Sequence, residues 1–214
     1  MFNLFNIIPL ILVATSIALI ANKRTLAYIK TFQVQSFIII VGAILLAIES
    51  HHIELIIVSI IMYLLKIVYI PRYLRNAHKK ITHHISKDFY LNIPILVFLS
   101  VALIGISYFS ISNIDLLIKD GNITSLTCNF SMVLIGLLFM ITRKNAVGQI
   151  IGFLSIENGL FSCALFTTHG MPFIVDIGIF IDLLTAVIIM TMIVFQIDTK
   201  FQTTDTEKLN NLRG

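Results

Sequence analysis

RKNAVGQIIGFLSIENGLFSCALFT, residues 143–167, is the stretch that decides the fold class of this chain. Two basic residues and an asparagine precede an apolar run of about 20 residues, the length that an α-helix needs to cross a bilayer. Glu157 lies 11 residues into the run that starts at residue 146, roughly 16 Å along a helix. A carboxylate near mid-membrane costs about 3 kcal/mol or more on insertion scales, so its presence indicates a function.

The rest of the chain has the same apolar character. Of its 214 residues, 57% are hydrophobic and 12% are charged, and the mean hydropathy is +0.96. A soluble domain carries about 25% charged residues. No soluble domain of useful size remains between the apolar stretches, and the N-terminal run lacks the basic region of a cleavable signal peptide. We therefore predict an integral membrane protein with an all-α fold.

Hydropathy divides this polytopic membrane protein into seven transmembrane helices. A tight turn of basic residues separates the fifth span from the sixth, and the helix breakers Gly170 and Pro172 separate the sixth from the seventh. The predicted spans are 4–21, 32–49, 54–71, 91–110, 126–142, 146–167 and 173–196.

The basic residues predict how these spans are oriented. All of the 15 Lys and Arg residues except Lys66 and Lys119 fall in the loops and tail on one side of the predicted membrane. Because basic residues mark the cytoplasmic side, we predict the N-terminus outside and the C-terminus inside. This topology also explains the formal net charge of +4, so the charge does not indicate binding to nucleic acid.

A weak internal repeat accompanies the seven spans. The segment NKRTLAYIKTFQVQS (residues 22–36) leads into the second helix, and TRKNAVGQIIGFLSIEN (residues 142–158) leads into the sixth, about 120 residues later. Both copies start outside, which predicts a 3+1+3 arrangement of parallel repeats, as found in some transporters. We expect an N-terminal repeat with a basic cytoplasmic loop at 1–90, a connecting helix and outer loop at 91–125, a second three-helix unit at 126–197, and a polar cytoplasmic tail at 198–214.

Two carboxylates and one lysine are the candidate proton-transfer residues. Asp182 lies 9 residues into the last span, so the antiparallel geometry places it at a height similar to that of Glu157 on the neighbouring helix. Carboxyl groups that share a water-poor interior suit stepwise proton transfer. Lys66 lies within the third span and either extends to the interface or belongs to the same proton-transfer line. Ser155 and Asn158 are candidate supporting groups that orient the Glu157 carboxyl or form helix–helix hydrogen bonds.

Metal and nucleotide chemistry lack the sequence patterns they require. Cys128 and Cys163 are isolated, and the sequence has no CxxC pair, no Cys/His cluster and no glycine-rich phosphate loop. We therefore expect no catalytic residue, metal or cofactor in this chain itself, and only a non-catalytic role in any enzyme.

The segments RKNAVGQIIGFLSIENG (residues 143–159) and PFIVDIGIFIDLLTAVIIM (residues 172–190) resemble hydrogenase-4 component E, a membrane subunit of the group 4 nickel–iron hydrogenases that include formate hydrogenlyase. The ending LNNLRG fits as well. The second half is also similar to the K subunit of complex I and the C subunit of multisubunit cation/proton antiporters. In that alignment Leu154 stands where the K subunit has its first glutamate, Glu157 lies about one helical turn further on, and Asp182 replaces the second glutamate.

This resemblance implies a proton-translocating subunit of the inner (plasma) membrane. Its partners would be antiporter-like membrane subunits and soluble nickel–iron and iron–sulfur subunits that carry the redox chemistry. Three alternatives stay open: a structural scaffold, a subunit of a cation/proton antiporter, and a free carrier. SWEET-type sugar carriers share the 3+1+3 plan but carry Pro-Gln dipeptides, and none of the four prolines here precedes Gln.

Overall fold

The computed structural model describes residues 2–50, 53–81, 91–112 and 123–167, and this part of the chain is almost entirely helical. The all-α prediction is confirmed for these ranges. The helices are α1 (Phe2–Ala21), α2 (Thr25–Ser50), α3 (Ile53–Met62), a π-helical segment (Tyr63–Tyr69), α4 (Ile70–Ile81), α5 (Ile93–Ser112), α6 (Ile123–Thr142) and α7 (Ala146–Thr167).

Five helical stretches in the described ranges are long and apolar enough to cross a membrane, and Ile7–Ala21 is a shorter apolar helix. α3, the π-helical segment and α4 follow one another without a break and supply one of the five, Leu55–Asn76. The predicted seventh span, 173–196, lies outside the described residues. The number of spans, the repeat, the domain boundaries and the orientation of the termini stay predictions.

Two helices extend beyond the predicted spans. α2 begins at Thr25, before the predicted span 32–49, because its first two turns are helical although they carry polar residues. The third helix does not end at Pro71 but continues to Ile81. Proline is tolerated inside a membrane helix when local π-helical geometry or a neighbouring side chain satisfies the freed backbone groups. Both occur here, since the π-helical segment precedes Pro71 and the Gln33 amide donates to the Ile67 carbonyl at 2.9 Å.

α2 and α7 run parallel to each other in the middle of the described part. At the start of both helices Asn145 Nδ2 donates to Thr25 Oγ1 at 3.4 Å, and further along Asn158 Nδ2 donates to Ser36 Oγ at 3.1 Å. α2 also packs against α1, α3, the π-helical segment and α4, whereas α7 packs mainly against α6. The helix seam between α2 and α7 therefore joins the N-terminal part of the chain to its second half.

Small residues allow α6 and α7 to approach closely. An added Cβ at Gly152 would lie 2.6 Å from Met140 Cβ and 2.7 Å from Met140 Cα. An added Cβ at Gly136 would lie 3.0 Å from the Ile156 backbone nitrogen. Close backbone contact of this kind is the usual way in which membrane helices associate, since burial of apolar surface gives no driving force in lipid.

Apolar side chains form the core around these seams. Its buried members come from α1, α2, α3, α6 and α7. They are Ile8, Leu12, Ile39, Ile40, Ala43, Leu46, Ala47, Leu55, Val58, Met62, Met132, Phe161, Leu165 and Phe166. α5 lies at the periphery, because 17% of its 18-residue apolar stretch is buried, compared with 67% for α7. α7 is therefore the best shielded of the five candidate spans.

Candidate functional site: a buried lysine–glutamate pair

Lys66 and Glu157 form an ion pair between the two halves of the chain. Lys66 Nζ lies 2.6 Å from Glu157 Oε1, and the two side chains are 2% and 3% exposed. Each group supplies the opposite charge for the other at a site where either charge alone would be expensive. The structure therefore gives Glu157 the counter-charge that its own helix lacks.

Both members of the pair lie near the middle of their spans. Lys66 is 11 residues from the start of Leu55–Asn76, and Glu157 is 10 residues from the start of Val147–Phe166. A rise of about 1.5 Å per residue places each charge roughly 15 Å from a helix end. The lysine contacts a carboxylate across the helix seam at this depth and does not extend to the interface.

Asn158 extends the pair into a small network. Its Oδ1 accepts a hydrogen bond from Lys66 Nζ at 3.0 Å, and its Nδ2 donates to Ser36 Oγ at 3.1 Å. Both Asn158 and Ser36 are fully buried. One amide side chain therefore connects the π-helical segment, α7 and α2, and it fixes the ammonium from a second direction.

A second buried polar cluster lies further along α7. Ser162 Oγ donates to Asn129 Oδ1 at 2.7 Å, and Asn129 Nδ2 donates to Ser125 Oγ at 3.4 Å. Ser162 follows Glu157 by five residues, and Ser125 lies in the first turn of α6. This cluster lies about one helical turn beyond Asn158 along α7 and joins α7 to α6.

A third polar contact joins α1 to α2. Gln35 Nε2 donates to Ser16 Oγ at 2.9 Å, and the Ser16 hydroxyl donates to the Leu12 carbonyl at 2.9 Å. Gln35 and Ser16 are fully buried. Hydrogen bonds of this kind between membrane helices contribute about 0.6 kcal/mol on average, so this contact mainly fixes the register of the two helices.

Arg143 belongs to the basic turn that the sequence predicts before the sixth span, and its burial was not predicted. It is fully buried, and its guanidinium donates to the Ile20 and Asn22 carbonyls at 3.4 and 3.2 Å. Its Cζ lies 4.1 Å from the ring centroid of Phe139 and 4.9 Å from that of Tyr28. A cation is stabilised at a helix C-terminus, here the end of α1, and by aromatic faces. The sequence does not show that Tyr28 and Phe139 lie close to Arg143, so it did not predict this cation–aromatic contact.

The other predicted site residues have different outcomes. Asn158 contacts the pair directly. Ser155 is fully buried, but its hydroxyl makes no hydrogen bond with any residue of the described ranges. Asp182 lies outside the described residues, so its approach to Glu157 stays a prediction. The sequence placed Lys66 and Glu157 in one candidate proton-transfer line but did not predict their direct ion pair, although two opposite charges at similar predicted depths were a signal for it.

Comparisons with known proteins identify hydrogenase subunits among the relatives. Hydrogenase-4 component E of Escherichia coli is 25% identical over 161 residues, which cover 75% of this chain and 74% of that protein. The hydrogenase-4 component E of Shigella flexneri gives the same values. This chain is similar to hydrogenase-4 component E. The resemblance predicted from the sequence is thereby confirmed, and with the apolar helices it fits a membrane subunit of a hydrogenase-related complex.

A mycobacterial relative matches over a shorter region. An uncharacterised protein of Mycobacterium tuberculosis is 38% identical over 91 residues, which cover 42% of this chain and 41% of that protein. The match therefore spans less than half the length of the mycobacterial protein. No family model matches the chain, and no solved structure matches it.

Proposed function

We propose that this chain is a proton-translocating subunit of a hydrogenase-4-like, complex I-related assembly in the inner (plasma) membrane. Nickel–iron and iron–sulfur partner subunits would carry the redox chemistry. The observation that carries the proposal is the Lys66–Glu157 ion pair, which is 2.6 Å long, nearly inaccessible to solvent and located at mid-span. Ionisable residues at this depth are expensive to insert and typically mark proton or ion pathways.

The pair supports a cycle in which one proton crosses the site. Uptake of a proton by the Glu157 carboxylate leaves the Lys66 ammonium without its counter-charge in a water-poor interior. This favours release of a proton from Lys66 toward the other side. Transfer of the proton from the Glu157 carboxyl to the neutral amine then restores the ion pair. Only O–H and N–H bonds form and break, so the site needs no co-reactant.

Polar side chains flank the pair toward both ends of the helices. Ser162 and Asn129 lie toward the end of α7, where its neighbour α6 begins. Gln33 and Arg75 lie on the opposite side of the pair, toward the ends at which α2 and α7 start. Hydroxyl and amide groups form hydrogen bonds with water, so they support access of water-borne protons to the pair from two directions.

Asp182 enters this proposal from the sequence alone. The resemblance to the K subunit of complex I assigns it the position of a functional carboxylate in the last span. We expect Asp182 to exchange protons with the Lys66–Glu157 pair. The prediction follows from its calculated height in the membrane and its charge.

The test measures protons moved per electron transferred by the assembled complex in inverted membrane vesicles. We expect Glu157→Gln to lower this ratio by about tenfold or more while electron transfer continues, because the amide cannot carry a proton. The double variant Lys66→Met/Glu157→Gln removes both charges of the pair and should lower the ratio similarly with assembly retained. Asp182→Asn should also lower it.

Matched controls use the same substitutions at exposed positions. Glu49→Gln, at the end of α2, and Lys23→Met, in the turn before α2, should leave the proton-to-electron ratio unchanged. A double variant that assembles and pumps normally would refute the proposal. Loss of assembly in both the single and the double variant, with no separate effect on pumping, would favour the structural scaffold instead.

A further inference from the structure

The helix that carries Lys66 has an unusual backbone next to the lysine. The π-helical segment Tyr63–Tyr69 contains Lys66, and the Ile70 amide bonds to the Leu65 carbonyl, five residues back. Pro71 follows directly and has no amide hydrogen. In an α-helical ladder, Pro71 would be the donor to the Ile67 carbonyl, so this carbonyl needs a donor from elsewhere.

Gln33 on α2 supplies that donor. Its Nε2 donates to the Ile67 carbonyl at 2.9 Å, across 34 residues of sequence. Arg75, one turn beyond Pro71, donates in turn to Gln33 Oε1. Both polar ends of the Gln33 side chain are therefore bound to the same helix, one on each side of Pro71.

We propose that Gln33 and Arg75 are positioning residues that hold the π-helical segment in register and so direct Lys66 toward Glu157. Lys66 is the immediate neighbour of Ile67, so the contact at the Ile67 carbonyl constrains the backbone beside the lysine. If this segment became α-helical, the residues before it would rotate about the helix axis relative to the residues after it. The Lys66 ammonium would then move away from Glu157 and Asn158. Isolated π-helical turns often occur at functional sites.

A role of the Gln33–Ile67 hydrogen bond in proton transfer rests on the proposed function, but its effect on the position of Lys66 can be tested without measuring proton transfer. The purified full-length chain in detergent is treated with an amine-reactive reagent, and the labelling rate of Lys66 is measured by mass spectrometry. Lys66 is 1% exposed, so it is protected in the native protein. We expect Gln33→Leu to raise the rate about fivefold or more, because the segment opens more often when the part-buried Ile67 carbonyl loses its donor.

Gln33→Glu separates the two contacts of Gln33. The glutamate keeps the length of the side chain and an oxygen for Arg75, but as a carboxylate it cannot donate to the Ile67 carbonyl. Gln33→Glu should raise the labelling rate of Lys66 as Gln33→Leu does. If Gln33→Leu does not fold, the labelling rate of Gln33→Glu decides the test. The matched control is Gln35→Leu, which removes a buried glutamine that bonds Ser16 on α1 and should leave the rate unchanged.

The inference is overturned if Gln33→Leu or Gln33→Glu leaves Lys66 protected, or if Gln35→Leu exposes Lys66 equally. In the assembled complex, the same Gln33 variants should lower the proton-to-electron ratio. Increased labelling with an unchanged ratio would support the positioning role and count against proton transfer through Lys66. Unchanged labelling together with loss of pumping in Glu157→Gln would support the proposed function and refute the positioning role.

Discussion

At the scale of single residues, the Lys66–Glu157 pair contributes to stability in a way that depends on both partners. Burying two charges costs several kcal/mol of desolvation per ion, and their attraction offsets this cost only while both are present. Asn158 adds a second hydrogen bond to the ammonium and thereby lowers the cost. A pair of this kind gives little net stability, which leaves a functional reason for keeping it.

Removing one charge should therefore be worse than removing both. We expect Lys66→Met to lower the free energy of unfolding by about 3–5 kcal/mol, because it leaves Glu157 charged and unpaired. The double variant Lys66→Met/Glu157→Gln should recover most of that loss. Denaturant unfolding of the full-length chain in mixed micelles measures the difference, with Lys23→Met as the exposed control. Additive losses in the double variant would contradict this account.

Arg143 is a second buried cation, but it contacts backbone carbonyls and aromatic rings and no carboxylate among the described residues. Its Nη2 donates to both carbonyls, while its Cζ lies over the rings of Phe139 and Tyr28. We expect Arg143→Lys to destabilise the protein by about 1–3 kcal/mol, because an ammonium cannot stack flat on the two rings while it also reaches the two carbonyls. Thermal unfolding checks the value. Lys144→Ala, at the exposed neighbouring position, should stay within about 0.5 kcal/mol.

At the scale of elements, the closeness of α6 and α7 depends on glycines and not on the hydrophobic effect. Gly152 faces the backbone of Met140, and Gly159 faces the backbone nitrogen of Val133, 3.1 Å from where a Cβ would lie. Glu157 lies between these two glycines in the sequence of α7, and its carboxylate contacts Lys66 of the π-helical segment. Helix packing and site geometry are therefore linked along one helix.

Gly152→Ala tests this link. The added methyl group would meet backbone atoms at less than 3 Å, so α6 and α7 must separate, and we expect a loss of about 1–3 kcal/mol. Gly105→Ala on α5 is the matched control, since a Cβ there meets nothing within 4 Å. The control should be neutral or slightly stabilising, because alanine favours a helix by about 1 kcal/mol over glycine. Equal effects of the two substitutions in thermal unfolding would refute this interpretation.

At the scale of the whole molecule, the predicted topology places the start of α2 and the end of α5 on opposite sides of the membrane. Both Lys23 and Ser112 are exposed. With Cys128 and Cys163 replaced by serine, a membrane-impermeant thiol reagent added to intact cells should label Ser112→Cys but not Lys23→Cys. Inverted vesicles should give the opposite pattern, because basic loops stay in the cytoplasm. Labelling of both from the same side would disprove the predicted topology.

The sequence by itself determined the membrane class, the helical fold of the described part and the depth of Glu157 and Lys66. Apolar runs of one helix length leave little choice of structure in lipid, since every backbone hydrogen bond must be made within the span. The resemblance carried by residues 143–190 indicated the kind of complex. These properties are local, and each can be derived from one segment at a time.

Tertiary structure alone decided which groups meet. Hydropathy gives the height of a charge along a helix but not the direction in which its side chain points, so it did not predict the direct contact between Glu157 and Lys66, 91 residues away. For the same reason the burial of Arg143 and the contact of Gln33 beside Pro71 were not predicted. Rotation about each helix axis is fixed only when α2, α6 and α7 pack together, because close backbone contacts and buried hydrogen bonds are satisfied at few rotations.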